Sequence, residues 1–281
     1  MKYSQFIMRG FIFVDLVLIS SGSFGQMQRL RYNDEFTTYD TARYEITYEV
    51  KKVVDPSKLN DVVVDIQKLQ IGKRMSKTFS YLQFQNDSLC TILEKGDGDF
   101  PSPPVGADNR EIYKDFRTGE LRIRERVDGI QFCYEENRPE FNWVIQNRHK
   151  VIASYPCQCA SVTFRGRQYE VWFTTAIPVS AGPFKFDGLP GLILEVQDSK
   201  HHFTFTCIGL KKMTTIIPIR SQDFPCTATT REALSKFQLK RHSNPTQYYN
   251  SMGVTYATKK DGKVVINPKN FSWSYNPIEL E

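Results

Sequence analysis

The chain has 281 residues, 40% hydrophobic and 13% aromatic, which can bury a sizeable core, so disorder is not the default expectation. Its formal net charge of +6 is scattered over Arg165/Arg167, Lys211/Lys212, Lys240/Arg241 and Lys259/Lys260. Acids lie between these pairs and no aromatic stacking platform accompanies them, so nucleic acid is not expected as a partner, whereas an anionic membrane surface or an acidic partner stays open.

The first residues have the form of a secretory signal peptide over 1–25: Lys2 and Arg9 lie ahead of a mostly apolar run from Gly10 to Ser20, and Ser21 to Gly25 is small and polar apart from Phe24. That run is shorter than the roughly 20 apolar residues of a bilayer span and Asp15 interrupts it, so cleavage after Gly25 is expected and no transmembrane segment in the mature chain. Gln26, Met27 and Gln28 stand where a lipoprotein would carry its acylated cysteine. The expectation is an exported protein, periplasmic or outer-membrane associated and not a lipoprotein, with one β-rich domain over 26–281 and a net charge of +5 once two cations and one anion leave with the signal.

Alternation predicts the first strand over Ala42 to Val54, with Ala42, Tyr44, Ile46, Tyr48 and Val50 on one face. Asp61 to Phe84 reads mostly as strand. Gly96 to Asn109, rich in Gly and Pro, reads as a loop, and Asp97-Gly98-Asp99 within it hints at calcium without the spaced ligands of an EF-hand. Hairpins follow: Ile112 to Phe116, Leu121 to Val127 and Ile130 to Glu135, the last two joined by an Asp128-Gly129 turn that suits positive φ. Asn142 to Gln146 and Val151 to Tyr155 read as two more strands.

The clearest hairpin pairs Phe164 with Arg167 across Arg165-Gly166. It puts Ala160, Val162, Phe164, Tyr169, Val171 and Phe173 on one face, and Ser161, Thr163, Gln168, Glu170 and Trp172 on the other. Leu192 to Val196 and His202 to Leu210 form another, with Phe203, Phe205 and Cys207 on one face. Thr229 to Arg241 is predicted helical, with Glu232 three residues after a Thr cap and a basic last turn; Val264 to Ile266 and Phe271 to Tyr275 read as closing strands. The fold class expected is mainly β: a curved antiparallel sheet, a half-barrel or sandwich, with one C-terminal helix.

Cys90, Cys133, Cys157, Cys159, Cys207 and Cys226 are an even set in a chain bound for an oxidising compartment, so disulfides are the first expectation, with 15 pairings open. Cys157 and Cys159 are poorly placed to bridge each other along one strand. No cofactor is expected; the alternative is copper or zinc on Cys157 and Cys159, completed by His201, His202 or Met213. A thiol hydrolase would pair Cys157 or Cys159 with His149, His201 or His202. The chain has no HExxH, GxSxG, GxxxxGK[ST] or GxGxxG motif, and no catalytic residue is assigned, so the reading leans away from an enzyme.

Trp172 to Pro178, then Gly182-Pro183-Phe184-Lys185-Phe186-Asp187, then Gly188-Leu189-Pro190-Gly191-Leu192-Ile193 resemble the signature of the GLPGLI family. Tyr155 to Ala160, the Phe164-Arg165-Gly166-Arg167 turn and the ending Asn276-Pro277-Ile278-Glu279 resemble it too, although Cys159 departs from the family's usual basic residue. The resemblance implies an exported protein, chiefly of Bacteroidota, of unknown function, and supplies no catalytic residue. Gly188, Pro190 and Gly191 make a rigid turn. That turn is read either as a structural corner or as a ligand or partner surface, with Phe184, Phe186 and Leu189 forming an apolar patch rimmed by Lys185 and Asp187, and Trp172, Leu192 and Ile193 beside it. The leading functional expectation is a binding or accessory protein holding an apolar small ligand or an envelope or outer-membrane partner.

Overall fold

The computed structural model describes residues 16–19, 35–93, 101–223, 225–260 and 263–281. In chain order its elements begin β1 (Leu16–Ile19), β2 (Phe36–Thr41), β3 (Tyr44–Val53), β4 (Val62–Ile71), β5 (Met75–Ser80) and α1 (Tyr81–Leu93). Then come β6 (Arg110–Asp115), β7 (Glu120–Val127), β8 (Ile130–Asn137), β9 (Val144–Ile152), β10 (Tyr155–Phe164), β11 (Arg167–Thr174), β12 (Leu192–Asp198) and β13 (Phe203–Lys212). The chain closes with β14 (Pro218–Gln222), β15 (Thr227–Ala228), α2 (Arg231–Ser243), α3 (Pro245–Ser251), β16 (Thr255–Lys260) and β17 (Lys263–Ile266).

Among the described residues the main sheet has 12 strands in the order β15-β8-β7-β6-β5-β4-β3-β13-β12-β11-β10-β9. All its pairs are antiparallel except β15 with β8. Two meanders, β3 to β8 and β9 to β13, therefore meet where β3 pairs with β13. Period-two alternation builds them: Ile46, Tyr48 and Val50 of β3, Leu121 and Ile123 of β7, and Phe203 and Phe205 of β13 are all buried. Each such side chain contributes about 1.5–3 kcal/mol by leaving water.

The topology dictates curvature. Flat, the sheet would hold β8 and β9 ten strand spacings apart, about 48 Å. The connector 138–143 between them reaches at most about 25 Å, so the sheet curls until these two strands approach. The result is a mainly β fold whose 12-stranded sheet is curved and not closed into a barrel.

The predicted turns hold: Val127 pairs with Ile130 across Asp128 (φ 48) and Gly129 (φ 81), and Phe164 with Arg167 across Arg165 (φ 47) and Gly166 (φ 77). Four predictions need correction. α1 was missed; Ser80 caps it, its Oγ accepting the Gln83 N–H at 3.1 Å, an S-x-x-Q capping signal that the strand-like residues before it obscured. The single C-terminal helix is one of three among the described residues, α2 at Arg231–Ser243 being the predicted one. The strand expected over Val151 to Tyr155 is split by a turn at Ala153 and Ser154, both at positive φ, so β9 precedes it and β10 follows. Phe271 to Tyr275 is not a strand; Phe271 and Trp273 pack on a cluster of Tyr248, Tyr249 and Tyr256.

Contacts group the chain into two compact units, Leu30–Thr230 with Asn276–Glu281, and Arg231–Tyr275 with the segment holding β1. The second contains the tyrosine cluster, α2, α3 and a sheet of order β1-β16-β17. Asn244 caps α3, its Oδ1 accepting the Gln247 N–H at 3.0 Å ahead of Pro245. The expected signal peptide lies outside the described residues except for Leu16–Ile19, and so does Asp97-Gly98-Asp99. No helix among the described residues is long and apolar enough to cross a membrane.

Candidate functional site

Residues 175–191 leave β11 and return as β12, and Pro178 and Pro183 keep this stretch from continuing the ladder. Gly191 passes so close to β11 that a Cβ would lie 2.1 Å from the Thr174 carbonyl oxygen, while Gly188 holds φ +88; a side chain fits neither position. The segment folds into the concavity of the sheet as a plug. Phe186 is fully buried, with its ring 4.8 Å from Tyr169, 5.7 Å from Phe164 and 5.7 Å from Phe141 of the β8–β9 connector. Phe184 lies under the Arg110 guanidinium at 5.2 Å.

The charged residues of the motif bind the plug to the walls. Lys185 is 1% exposed, and its Nζ lies 2.6 Å from Glu136 of β8 and 2.9 Å from both carboxylate oxygens of Glu279. Arg165 of the hairpin turn pairs with the same two carboxylates, at 3.5 and 3.6 Å. Arg167 reaches Asp198 at 3.2 Å, Asn276 Oδ1 at 2.7 Å and the Pro277 carbonyl at 2.6 Å, while the Tyr169 hydroxyl donates to the Ile278 carbonyl at 3.1 Å. The three stretches that resemble the family signature, the Phe-Arg-Gly-Arg turn, the long motif and the Asn-Pro-Ile-Glu ending, therefore form one buried network. Charges at this depth need every partner, because a lone one would forfeit its hydration.

Asp187 is likewise 1% exposed, but it faces a cavity. Its Oδ2 pairs with Lys114 of β6 and its Oδ1 accepts from Arg138 Nε at 2.8 Å, while its backbone carbonyl accepts from Trp143 Nε1 at 2.8 Å. Burial pulls the Lys114 ammonium below its ordinary pKa, and the neighbouring Asp187 carboxylate partly restores it. The cavity has a volume of ≈ 380 Å³ and is lined by Lys73, Lys114, Asp115, Arg138, Ser180 and Asp187, and also by Phe116, Pro178 and Val179. Sequence reasoning found Asp187 but missed Lys114, Arg138 and Trp143, which lie 73, 49 and 44 residues away and carry no local motif.

The expected surface patch needs correction. Phe184, Phe186, Leu189, Leu192 and Ile193 are buried in the core, Lys185 and Asp187 are buried rather than forming a rim, and only Gly188 and Pro190 of the turn are exposed. A curled sheet has a hollow to fill, and these side chains fill it. Trp172 is placed elsewhere, on the opposite face of β11 from Val171 and Phe173, beneath Lys150 at 4.3 Å and Arg148 at 5.2 Å.

One disulfide joins Cys133 and Cys226; Cys90, Cys157, Cys159 and Cys207 are buried thiols. Cys157 and Cys159 share β10, but the structure does not bring His149, His201 or His202 to them. His149 stands opposite Gln158, His201 occupies the β12–β13 turn, and His202 contacts Arg167 at 3.3 Å. The Cys157 thiol faces the Tyr155 carbonyl at 3.4 Å, and that of Cys159 faces Gln146 Oε1 at 3.6 Å. Burial, the largest cause, pushes Cys157 up to about 11 and raises Cys159 as well, which opposes the thiolate that a nucleophile or metal ligand must supply. Among the described residues no three His, Cys, Asp or Glu side chains stand where they could hold one metal ion.

A family model described as a protein of unknown function, Porph_ging, matches residues 162–195, from the β10–β11 hairpin through the plug into β12. No curated protein matches the chain. Among solved structures the chain is similar to PNGF-II. In its P21 crystal form the TM-score is 0.50 at 15% identity, covering 73% of this chain and 34% of that one; in its C2 form the TM-score is 0.48 at 14% identity, with the same coverage. At this identity the P21 likeness shows a shared fold alone, and the chain spans about a third of that protein's length.

Proposed function

We propose that this chain is an exported cell-envelope protein of the GLPGLI family, a binding or accessory protein whose ligand site is the cavity beside the plug. The observation that carries the reading is the position of Asp187. This motif residue has almost no exposed surface, yet with Lys114 and Arg138 it forms the wall of a ≈ 380 Å³ cavity, a volume within the range of small-molecule sites. Export is supported by the signal-like residues 1–25, and membership of the family by the Phe-Arg-Gly-Arg turn, the long motif and the Asn-Pro-Ile-Glu ending, which meet in one network.

The sequence reading proposes an apolar ligand or an envelope partner. Because Phe184, Phe186 and Leu189 are buried, the site proposed is the polar cavity instead, and the ligand proposed is a small, mixed-polarity molecule. Native mass spectrometry of protein recovered from the envelope fraction tests both parts. The expected result is a mature chain beginning near Gln26 with an adduct that is released on unfolding. Full-length protein confined to the cytoplasm would overturn the export reading, and an adduct-free protein that takes up no small molecule from an envelope extract would overturn the binding reading.

A further inference from the structure

The cavity contains three cations and two carboxylates, and its hydrogen-bond donors are unequally used. Asp187 is occupied by Lys114 and by Arg138 Nε. Asp115 is held by its own turn: its Oδ1 accepts the Arg117 N–H at 2.7 Å and the Thr118 N–H at 3.4 Å, and its Oδ2 lies 3.5 Å from the Arg117 guanidinium. These backbone hydrogen bonds, that of Arg117 first, hold the Asp115 carboxyl below its ordinary pKa. Both acids are thus engaged. Besides Lys114, whose ammonium has Asp187 as an acceptor, three groups have donors to spare. Neither Nη of Arg138 has a hydrogen-bond partner among the described residues, nor has the Lys73 ammonium. The Ser180 Oγ accepts the Gly188 N–H at 2.9 Å, which leaves its proton to donate.

We propose that the cavity binds a small ligand through an oxyanion, a carboxylate or a phosphate, held end-on by the two Nη atoms of Arg138 and by Lys73 and the Ser180 hydroxyl. This rests on the reading of the cavity as a ligand site and names the chemistry it selects. Arg138 is suited to the task because its planar fork matches two oxyanion oxygens at once. Asp187 is the positioning residue: anchored by Lys114, it clamps Nε and fixes the plane of the guanidinium, so that less freedom is lost when the ligand arrives. The apolar lining residues Phe116, Pro178 and Val179 receive the carbon part of the ligand. A volume near the lower end of the ligand-site range restricts that part to a small skeleton.

Isothermal titration calorimetry on the mature chain, with inorganic phosphate and N-acetylglycine as separate probes and N-acetylglycinamide as the uncharged control, tests the proposal. Saturable binding is expected for at least one of the two anions and not for the amide, and should weaken as salt is raised. Arg138→Gln should weaken it by about tenfold or more. Lys73→Gln removes an exposed, unpaired ammonium without disturbing the buried network and should weaken binding in the same direction at an unchanged melting temperature. Binding of phosphate alone or of N-acetylglycine alone identifies which oxyanion the site takes. No saturable binding of either at millimolar concentration, or binding that both variants leave unchanged, overturns the proposal. If an uncharged adduct is meanwhile found in the envelope protein, the binding reading survives and only the oxyanion is lost.

Discussion

Glu111 shows how single residues in this fold depend on partners far away in the chain. Its carboxylate lies 2.6 Å from Lys77 Nζ and accepts the Tyr113 hydroxyl at 2.7 Å. Burial alone would raise its pKa, but the Lys77 charge and these hydrogen bonds outweigh it, and the net shift is downward. A carboxyl with a lowered folded-state pKa contributes stability that is present above its unfolded value of about 4.3 and lost as pH falls through the folded value. The unfolding free energy of Glu111→Gln in urea should therefore lie below wild type at neutral pH, and the difference should shrink as pH falls below about 4.3 towards the lower folded-state pKa. A constant difference across that window would disprove the linkage. None of this was legible in the sequence, where Glu111 stands just before the strand expected over Ile112 to Phe116. Gly191 was partly legible: its place in the motif marked a backbone constraint, but the approach to Thr174 that makes it obligatory belongs to the fold.

At the scale of elements, the strands were read well wherever two adjacent runs and a turn spelled out their own register. Both Asp128-Gly129 and Arg165-Gly166 are such cases, because turn chemistry and period-two burial are local. α1 shows the converse. The hydroxyl that caps it belongs to Ser80, the last residue of β5, and the same hydroxyl donates to Asp65 Oδ1 at 2.7 Å. Burial, the largest cause, raises the Asp65 carboxyl above its ordinary pKa, with Ser80 and the Asp108 N–H opposing it. Ser80→Ala should cost about 1 kcal/mol through the lost cap, and more because Asp65 loses a donor. Guanidinium unfolding at neutral pH measures it, and a variant as stable as wild type would show that α1 needs no cap.

At the scale of the whole molecule, the chain leaves the larger unit at Thr230 and re-enters it for Asn276–Glu281. That short return supplies Glu279 to Lys185 and Arg165, two acceptors to Arg167, the carbonyl that receives the Tyr169 hydroxyl, and the buried Ile278. Deleting residues 276–281 should lower the stability of the larger unit by about 3 kcal/mol or more, since hydrogen bonds to buried charges are worth about 1.5–3 kcal/mol each. Denaturant unfolding of the truncated chain with an unchanged midpoint would refute that role.

By itself the sequence determined the class of fold, the registers of its clearest hairpins and the position of α2. All of these follow from alternation, turn residues and caps within a few positions of one another. Tertiary structure alone decided that the plug turns inward, that its lysine and aspartate are buried rather than exposed, and that Lys114 and Arg138 meet at a cavity. The physical reason is curvature: a short connector between distant strands curls the sheet, and the hollow this creates brings together residues that no local pattern relates.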